Sequence, residues 1–303
     1  MTKIALLISD NLLPDTKNGR PDVFELIEEA GKLTPAFASH GMELIQVRWR
    51  EIEARAAEFD AILPLFVWDY FEGNEVDFLR AIAKAEAVTP VFNSFDIIKW
   101  NADKAYLDAL HARGADVIRT LSVDHVTETH VARAFEELGT DTLVIKPRIG
   151  GGAWRQVLYK KGEPFPKAED LPPEGALMQP FLPSVVEEGE YSFLYFGGRF
   201  SHAARKTPKK GDYRIQSIYG GAEETYTPTE VERNHARAIL DVLDDVLLYA
   251  RVDLLRGLDG TLKLIELECI EPYLYLPHAK GEGGENEGAQ KLAKALKAKL
   301  EKG

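Results

Sequence analysis

The chain has 303 residues, 45% of them hydrophobic, enough for a large core and about two domains. Its formal net charge of −12 disfavours sequence-independent binding to nucleic acid or to an anionic membrane, because both need a basic footprint. The lone cysteine, Cys269, cannot close an intramolecular disulfide, and with neither a signal-peptide core nor a ~20-residue apolar span in view a cytoplasmic protein is expected.

A short buried-strand pattern at residues 4–8 opens the chain, followed by a polar loop over 9–21 and an apolar-periodic helix from about Asp22. Further strands are expected at 43–47, at 61–67 and, briefly, at 90–92, with a helix over 71–87. Strands alternating with helices predict an open parallel α/β unit, and ligands on such sheets bind at the C-terminal ends of strands. The third strand runs into Trp68-Asp69-Tyr70. This cluster either contacts a small substrate or closes the core.

Asn101 is a good N-cap for a helix over 102–113, with Gly114 as its stop. Lys104 falls in that helix's first turn, against the helix dipole, which leaves two readings: a neighbouring anion or a solvated lysine. A second helix covers 127–138. Residues 142–147 form a strand carrying Lys146 and lead into Gly150-Gly151-Gly152. Glycines let backbone N–H groups approach phosphate oxygens closely, although the loop is neither a Walker A sequence nor a dinucleotide fingerprint.

Strands follow at 156–160 and 176–181, then a hairpin of 190–196 and 199–204 around Gly197-Gly198. Residues 199–214 gather Arg199, Arg205, Lys206, Lys209, Lys210 and Arg214. Such a segment is either a solvated patch or the cationic wall that a polyphosphate requires. A long amphipathic helix over 228–249 is expected to feed directly into a second hairpin, with Asp259-Gly260 at its turn. A tight turn there sets Asp253 opposite Glu266 and Arg251 opposite Glu268. Side-chain alternation then puts these four on one face and Val252, Leu254, Ile265 and Leu267 on the other. Opposed carboxylates repel unless something positive lies between them, so the face is either a magnesium site or a solvated acidic face. Residues 281–288 read as a loop, and 286–301 as a terminal helix docked on the outside.

Lysines, a glycine loop, a basic segment and an acidic β-face are together the means of holding ATP with magnesium. The sequences Trp68-Asp69-Tyr70, Trp100-Asn101-x-Asp103-Lys104-x-Tyr106-Leu107, Gln179-Pro180-Phe181-Leu182, Gly189-Glu190-x-Ser192 and Glu266-Leu-Glu268-x-Ile-Glu271-Pro272 resemble the ATP-grasp carboxylate–amine ligases. The likeness is to the glutathione synthetase-like branch, and in wording to the O-ureidoserine cyclo-ligases of cycloserine biosynthesis. It implies an ATP-grasp fold of α/β class, α+β in the nucleotide-binding part. An N-terminal α/β unit over 1–94 would precede a central subdomain over 95–175 and a C-terminal subdomain over 176–303 bearing the magnesium site.

The resemblance also implies roles. Lys104 and Lys146 would hold the ATP phosphates, and Gly150, Gly151 and Gly152 would close over them. Gln179, Phe181 and Leu182 belong to the hinge at adenine, and Glu190, with Glu187 as a competitor, would hold the ribose. Arg205, or Arg214 instead, would steady the acyl phosphate, and Asp253, Glu266 and Glu268 would ligate magnesium. Two departures stand out: many relatives carry asparagine at Glu268, and a serine in the glycine loop. The implied activity is ADP-forming ligation of a small, amino-acid-like carboxylate to an amine-type nucleophile, intermolecular or cyclising. A phosphotransferase or a non-catalytic ATP-binding protein on the same fold is the alternative, and homodimer formation is left open.

Overall fold

β1 (Thr2–Ile8) is the middle strand of a parallel sheet, between β2 (Met42–Arg48) and β3 (Ala61–Phe66). A strand covered on both faces needs apolar residues at every position, not every second one. Alternation then sorts them. Ile4, Leu6 and Ile8 pack with Leu33 and Phe37 of α1 (Val23–Ser39), whereas Ala5 and Leu7 meet Ile52 of α2 (Ile52–Arg55) and Phe78 and Ile82 of α3 (Glu75–Glu86). The structure is a computed structural model that describes residues 1–13, 19–281 and 285–302. The loops expected over 9–21 and 281–288 therefore fall partly outside the described residues. The strand expected at 90–92 reduces to one parallel bridge, Val91 with Ile62. No helix among the described residues is long and apolar enough to cross a membrane.

α4 (Phe95–Asn101) ends where the helix expected over 102–113 should begin, and only the shorter α5 (Tyr106–Ala112) lies within that span. Asn101 ends the first rather than capping the second. Its amide donates to the Leu267 carbonyl at 2.8 Å and accepts from the Cys269 N–H at 2.9 Å, so it serves the distant hairpin. Lys104 falls in the break between the two helices.

A second sheet is antiparallel, in the order β4 (Leu121–Val123), β7 (Ala176–Pro180), β5 (Thr142–Pro147), β6 (Val157–Lys160). α6 (Glu128–Leu138) is capped by the Thr127 hydroxyl and stopped by Gly139 at φ 63°, and its Val131, Ala134 and Phe135 join this sheet's core. The third sheet, also antiparallel, follows the short α7 (Ser184–Glu187). It runs β10 (Ala222–Tyr226), β9 (Arg199–Thr207), β8 (Glu190–Phe196), β11 (Tyr249–Arg256), β12 (Leu262–Glu268).

α8 (Glu230–Asp241) begins with a full capping box between Thr229 and Glu232 but stops well short of residue 249. Tyr249 is taken up by β11, where it pairs with Phe196, and Leu248 N–H donates to the Asn93 side chain at 2.7 Å. Tertiary pairing overrides helical periodicity here. The terminal α9 (Glu287–Leu300) is not merely external: Ala289, Leu292, Ala293 and Leu296 are fully buried and share one core with α1.

Candidate active site

The hairpin of β11 and β12 has the register read from sequence near its root: Asp253 faces Glu266, and Arg251 faces Glu268. Beyond Asp253 the pairing shifts by one, so Leu254 faces Leu264 and Ile265 is the extra residue. The turn is correspondingly longer than two residues, closed by Gly257 N–H to the Thr261 carbonyl at 2.8 Å. A bulge re-aims the side chain it inserts. Ile265 was expected on the apolar face; instead it lines the cleft that the acidic face overlooks.

That cleft has about 360 Å³ of room and is walled by strands of the two antiparallel sheets, by the start of α1 and by the segment after β3. One end is apolar, with Ile118, Val144, Phe181, Leu182, Val185 and Leu255; Gln179, Lys146 and Glu190 lie beside them. The middle carries Lys104, the loop Gly150–Gly152, Lys206, Arg251, Asp253, Glu266 and Glu268. The outer end is built from Arg20, Glu25, Glu28, Trp68, Tyr273 and Tyr275, with Arg214 and Glu223 alongside.

In the middle, opposite charges are paired. Lys104 reaches the Gly150 carbonyl at 2.5 Å and Glu266 at 3.2 Å. Lys146 projects from β5, donates to the Ile265 carbonyl at 3.4 Å, and is 7% exposed; burial pulls its pKa below the usual lysine value, against the pull of Glu266. Arg251 binds Asp253 through two nitrogens, at 3.0 and 2.9 Å, and also grips Glu268. Burial opposes ionisation of Asp253, but Arg251 and Lys206 hold it below the ordinary carboxylate range. Glu268 behaves differently: burial, helped by Asp253 and Glu266 and only partly opposed by Arg251, pushes it up to about 8. The three carboxylates are hard oxygen donors on one face, which suits magnesium. Among the described residues, however, no three His, Cys, Asp or Glu side chains converge closely enough to hold a metal by themselves.

The remaining expected residues divide by location. Gln179 is 2% exposed and spends its amide on the Thr120 hydroxyl at 2.9 Å. Glu190 lines the cleft, while Glu187 is exposed on α7 and does not. Arg214 stacks over Tyr219, 3.8 Å from the ring centroid, and pairs with Asp212. Arg205 points away from the cleft and pairs with Glu224 of β10. Strand parity is the reason: β9 continues to Thr207, and Lys206 faces Glu190 while Arg205 faces Tyr191. The side chain delivered to the acidic face is therefore Lys206, 2.5 Å from Glu190 and 3.5 Å from Asp253.

Within Trp68-Asp69-Tyr70 only Trp68 lines the cleft. Asp69 accepts from the Trp49 indole at 2.6 Å, and Tyr70 packs on Phe71 and Phe78. Lys206 and Arg251 stand in the basic segment and on the acidic face expected from sequence without an assigned role, and Glu25 and Tyr273 carry no sequence signal. The opposed-pair count had already placed Arg251 on the acidic face, and that was the available signal.

Comparison with known proteins agrees with this architecture. Residues 4–93 match the family model described as D-cycloserine synthetase DcsG, N-terminal domain. The cycloserine biosynthesis protein DcsG of Streptomyces lavendulae is 28% identical over 266 residues, spanning 82% of this chain and 87% of that protein. The crystal structure of D-cycloserine synthetase DcsG superposes with a TM-score of 0.83 at 24% identity, over 98% of this chain and 99% of that one. D-alanine–D-alanine ligase from Bacillus anthracis, complexed with ATP, gives 0.67 at 14% identity over the full length of both chains. The ATP-grasp ligase PsnB with minimal precursor, Mg and ADP gives 0.60 at 16%, over 98% of this chain and 97% of that one. The fold is therefore that of the ATP-grasp ligases.

Proposed function

We propose that this chain, whose fold is that of the ATP-grasp ligases, is an ADP-forming C–N ligase that activates an amino-acid-like carboxylate as an acyl phosphate and passes it to an amine-type nucleophile. The observation that carries this reading is the cleft itself. An apolar cluster suited to a base, a set of paired opposite charges and a group of residues carrying both signs line one cleft. In this reading the hinge 179–182 flanks adenine and Glu190 holds the ribose. Lys104, Lys146 and the loop Gly150–Gly152 hold the phosphates. Magnesium, held by Asp253, Glu266 and Glu268, would supply charge compensation for the phosphoryl oxygens.

The chain's own residues do the rest. Arg214, Lys206 and Arg251 line the cleft where the transferred group would lie, so their fixed positive charges stabilise the charge accumulating there. Arg205, paired with Glu224 on the outer face, would steady β10. At the outer end Glu25 accepts from Ser217 at 3.2 Å and has no hydrogen-bonded cation among the described residues. Burial, with Asp22 and Glu223 nearby, raises its pKa to about 7. An incoming ammonium would relieve that crowding, which favours a substrate carrying both a carboxylate and an amine. Both reacting groups belong either to one such molecule, which then cyclises, or to two. The loop Gly150–Gly152 packs on Phe71 across the cleft and would keep water from the acyl phosphate.

The test is a screen of amino acids and their amine-bearing derivatives for ADP release with ATP and magnesium. The expected result is ADP and phosphate in step with a new amide or ring, only when both reacting groups are supplied. A stable phosphorylated product would reassign the protein to phosphotransfer. No thermal stabilisation by millimolar ATP with magnesium would remove the nucleotide reading altogether.

A further inference from the structure

Lys206 occupies an unusual place for a lysine. It is 5% exposed, bonded to Glu190 at 2.5 Å and to Asp253 at 3.5 Å, with its ammonium 5.6 Å from the centre of the Tyr275 ring. Asp253 is saturated by it: the same carboxylate also takes the Ser192 hydroxyl and two nitrogens of Arg251. Glu268 is taken by Arg251 and Glu266 by Lys104. Each carboxylate expected to ligate magnesium thus already holds a cation belonging to the protein. A divalent ion arriving alone would have to displace a buried ammonium from Asp253 and leave it to Glu190 alone, and stripping a buried charge of part of its pairing is costly. A nucleotide changes that, because its phosphate oxygens offer the displaced ammonium a partner and complete the metal's coordination.

We infer that Lys206 is a resident counter-cation, holding Asp253 until nucleotide and metal arrive together and so excluding metal-first binding. The inference rests on the reading of this cleft as a magnesium–nucleotide site. It makes Lys206 a positioning residue whose removal alters the order of binding as well as the rate.

The test is titration of the intact protein with Mn²⁺, followed by electron paramagnetic resonance, with and without a non-hydrolysable ATP analogue. The parent and Lys206→Arg should take up Mn²⁺ tightly only with the analogue. Lys206→Met should bind Mn²⁺ without it at least about tenfold more tightly than the parent, the effect of deleting one unit charge at short range. Lys206→Met should also melt below the parent, with Mg²⁺ alone raising its Tm while leaving the parent's unchanged. Lys206→Gln, closer in shape, provides the same comparison if the methionine variant does not fold. Equal nucleotide-free Mn²⁺ affinity in the parent and the uncharged variants overturns the inference, as does tight metal-first binding by the parent. If the parent takes up no Mn²⁺ even with the analogue, the nucleotide–metal reading itself falls.

Discussion

Arg251 and Glu266 show how much a single side chain can be asked to do. Arg251 pairs with two carboxylates at once, the buried Asp253 and the half-buried Glu268. Glu266 plays the opposite part, meeting Lys104 directly with Lys146 close by. Replacing Glu266 by glutamine preserves shape and removes one charge. Turnover should fall by at least about a hundredfold, the scale of losing one electrostatic contact to a transferring group. Tm should change by only a few degrees, and ADP release beside thermal melting checks both; a fully active variant would end the assignment of Glu266. At this scale residue types were legible in the sequence and orientation was not. Lys206 and Arg205 are neighbours in one basic run, and only the continuation of β9 to Thr207 decides which of them meets Asp253. The strand expected over 199–204 stops short of both residues.

The elements were legible where a local signal and the tertiary pairing agree. Asp259-Gly260 marks the hairpin, but the observed turn pairs Leu254 with Leu264, one residue off the expected register, and the bulge at Ile265 restores Asp253 opposite Glu266. The bulge at Ile265 has no local signature. The division between α4 and α5 depends on Asn101 reaching across to Leu267 and Cys269, a contact no window of sequence contains.

The glycine loop offers a test of closure. A Cβ at Gly151 would lie 2.8 Å from the Phe71 ring, closer than packed atoms tolerate. Gly151→Ala should therefore raise KM for ATP several-fold, and adding Phe71→Ala should recover part of that loss. A KM unchanged in Gly151→Ala would show that loop and ring need not meet.

β9 carries a second test, in pH. His202 donates through Nε2 to the Leu274 carbonyl at 2.8 Å, and burial pushes its pKa down to about 4. The unfolded chain binds this proton near ~6.5, so between the two values the unfolded state holds more protons. Stability from this residue is complete above that range and is lost as pH falls toward 4. The Tm of His202→Gln should fall less than the parent's between pH 7 and pH 5, and parallel melting curves would remove His202 as the cause.

For the whole molecule, the strand–helix alternation of the first third foretold a parallel sheet with helices on both faces. The covering helix was less visible, since α9 begins more than two hundred residues beyond the last strand of the sheet it helps to bury. Leu292 and Leu296 of α9 lie in the same core as Leu33 and Phe37 of α1. Deleting a fully buried leucine side chain costs about 2–5 kcal/mol, and burying a charge there costs more. Leu296→Asp should lower the Tm of the entire chain and expose the first sheet to proteolysis, although residue 296 lies at the other end of the sequence. Cleavage confined to α9 would show instead that the helix is only an appendage.

Cys269 sits one position beyond the last residue of β12, fully buried and with its N–H bonded to Asn101. Burial drives its thiol far from the reactive thiolate. It is also the chain's only sulfhydryl. The protein therefore carries its own clock for the root of the acidic hairpin. A thiol reagent can label it only when that root opens, and the labelling rate counts those openings without any introduced probe. On the proposed reading of the cleft, ATP with magnesium should slow the clock, because it would be held by the same hairpin.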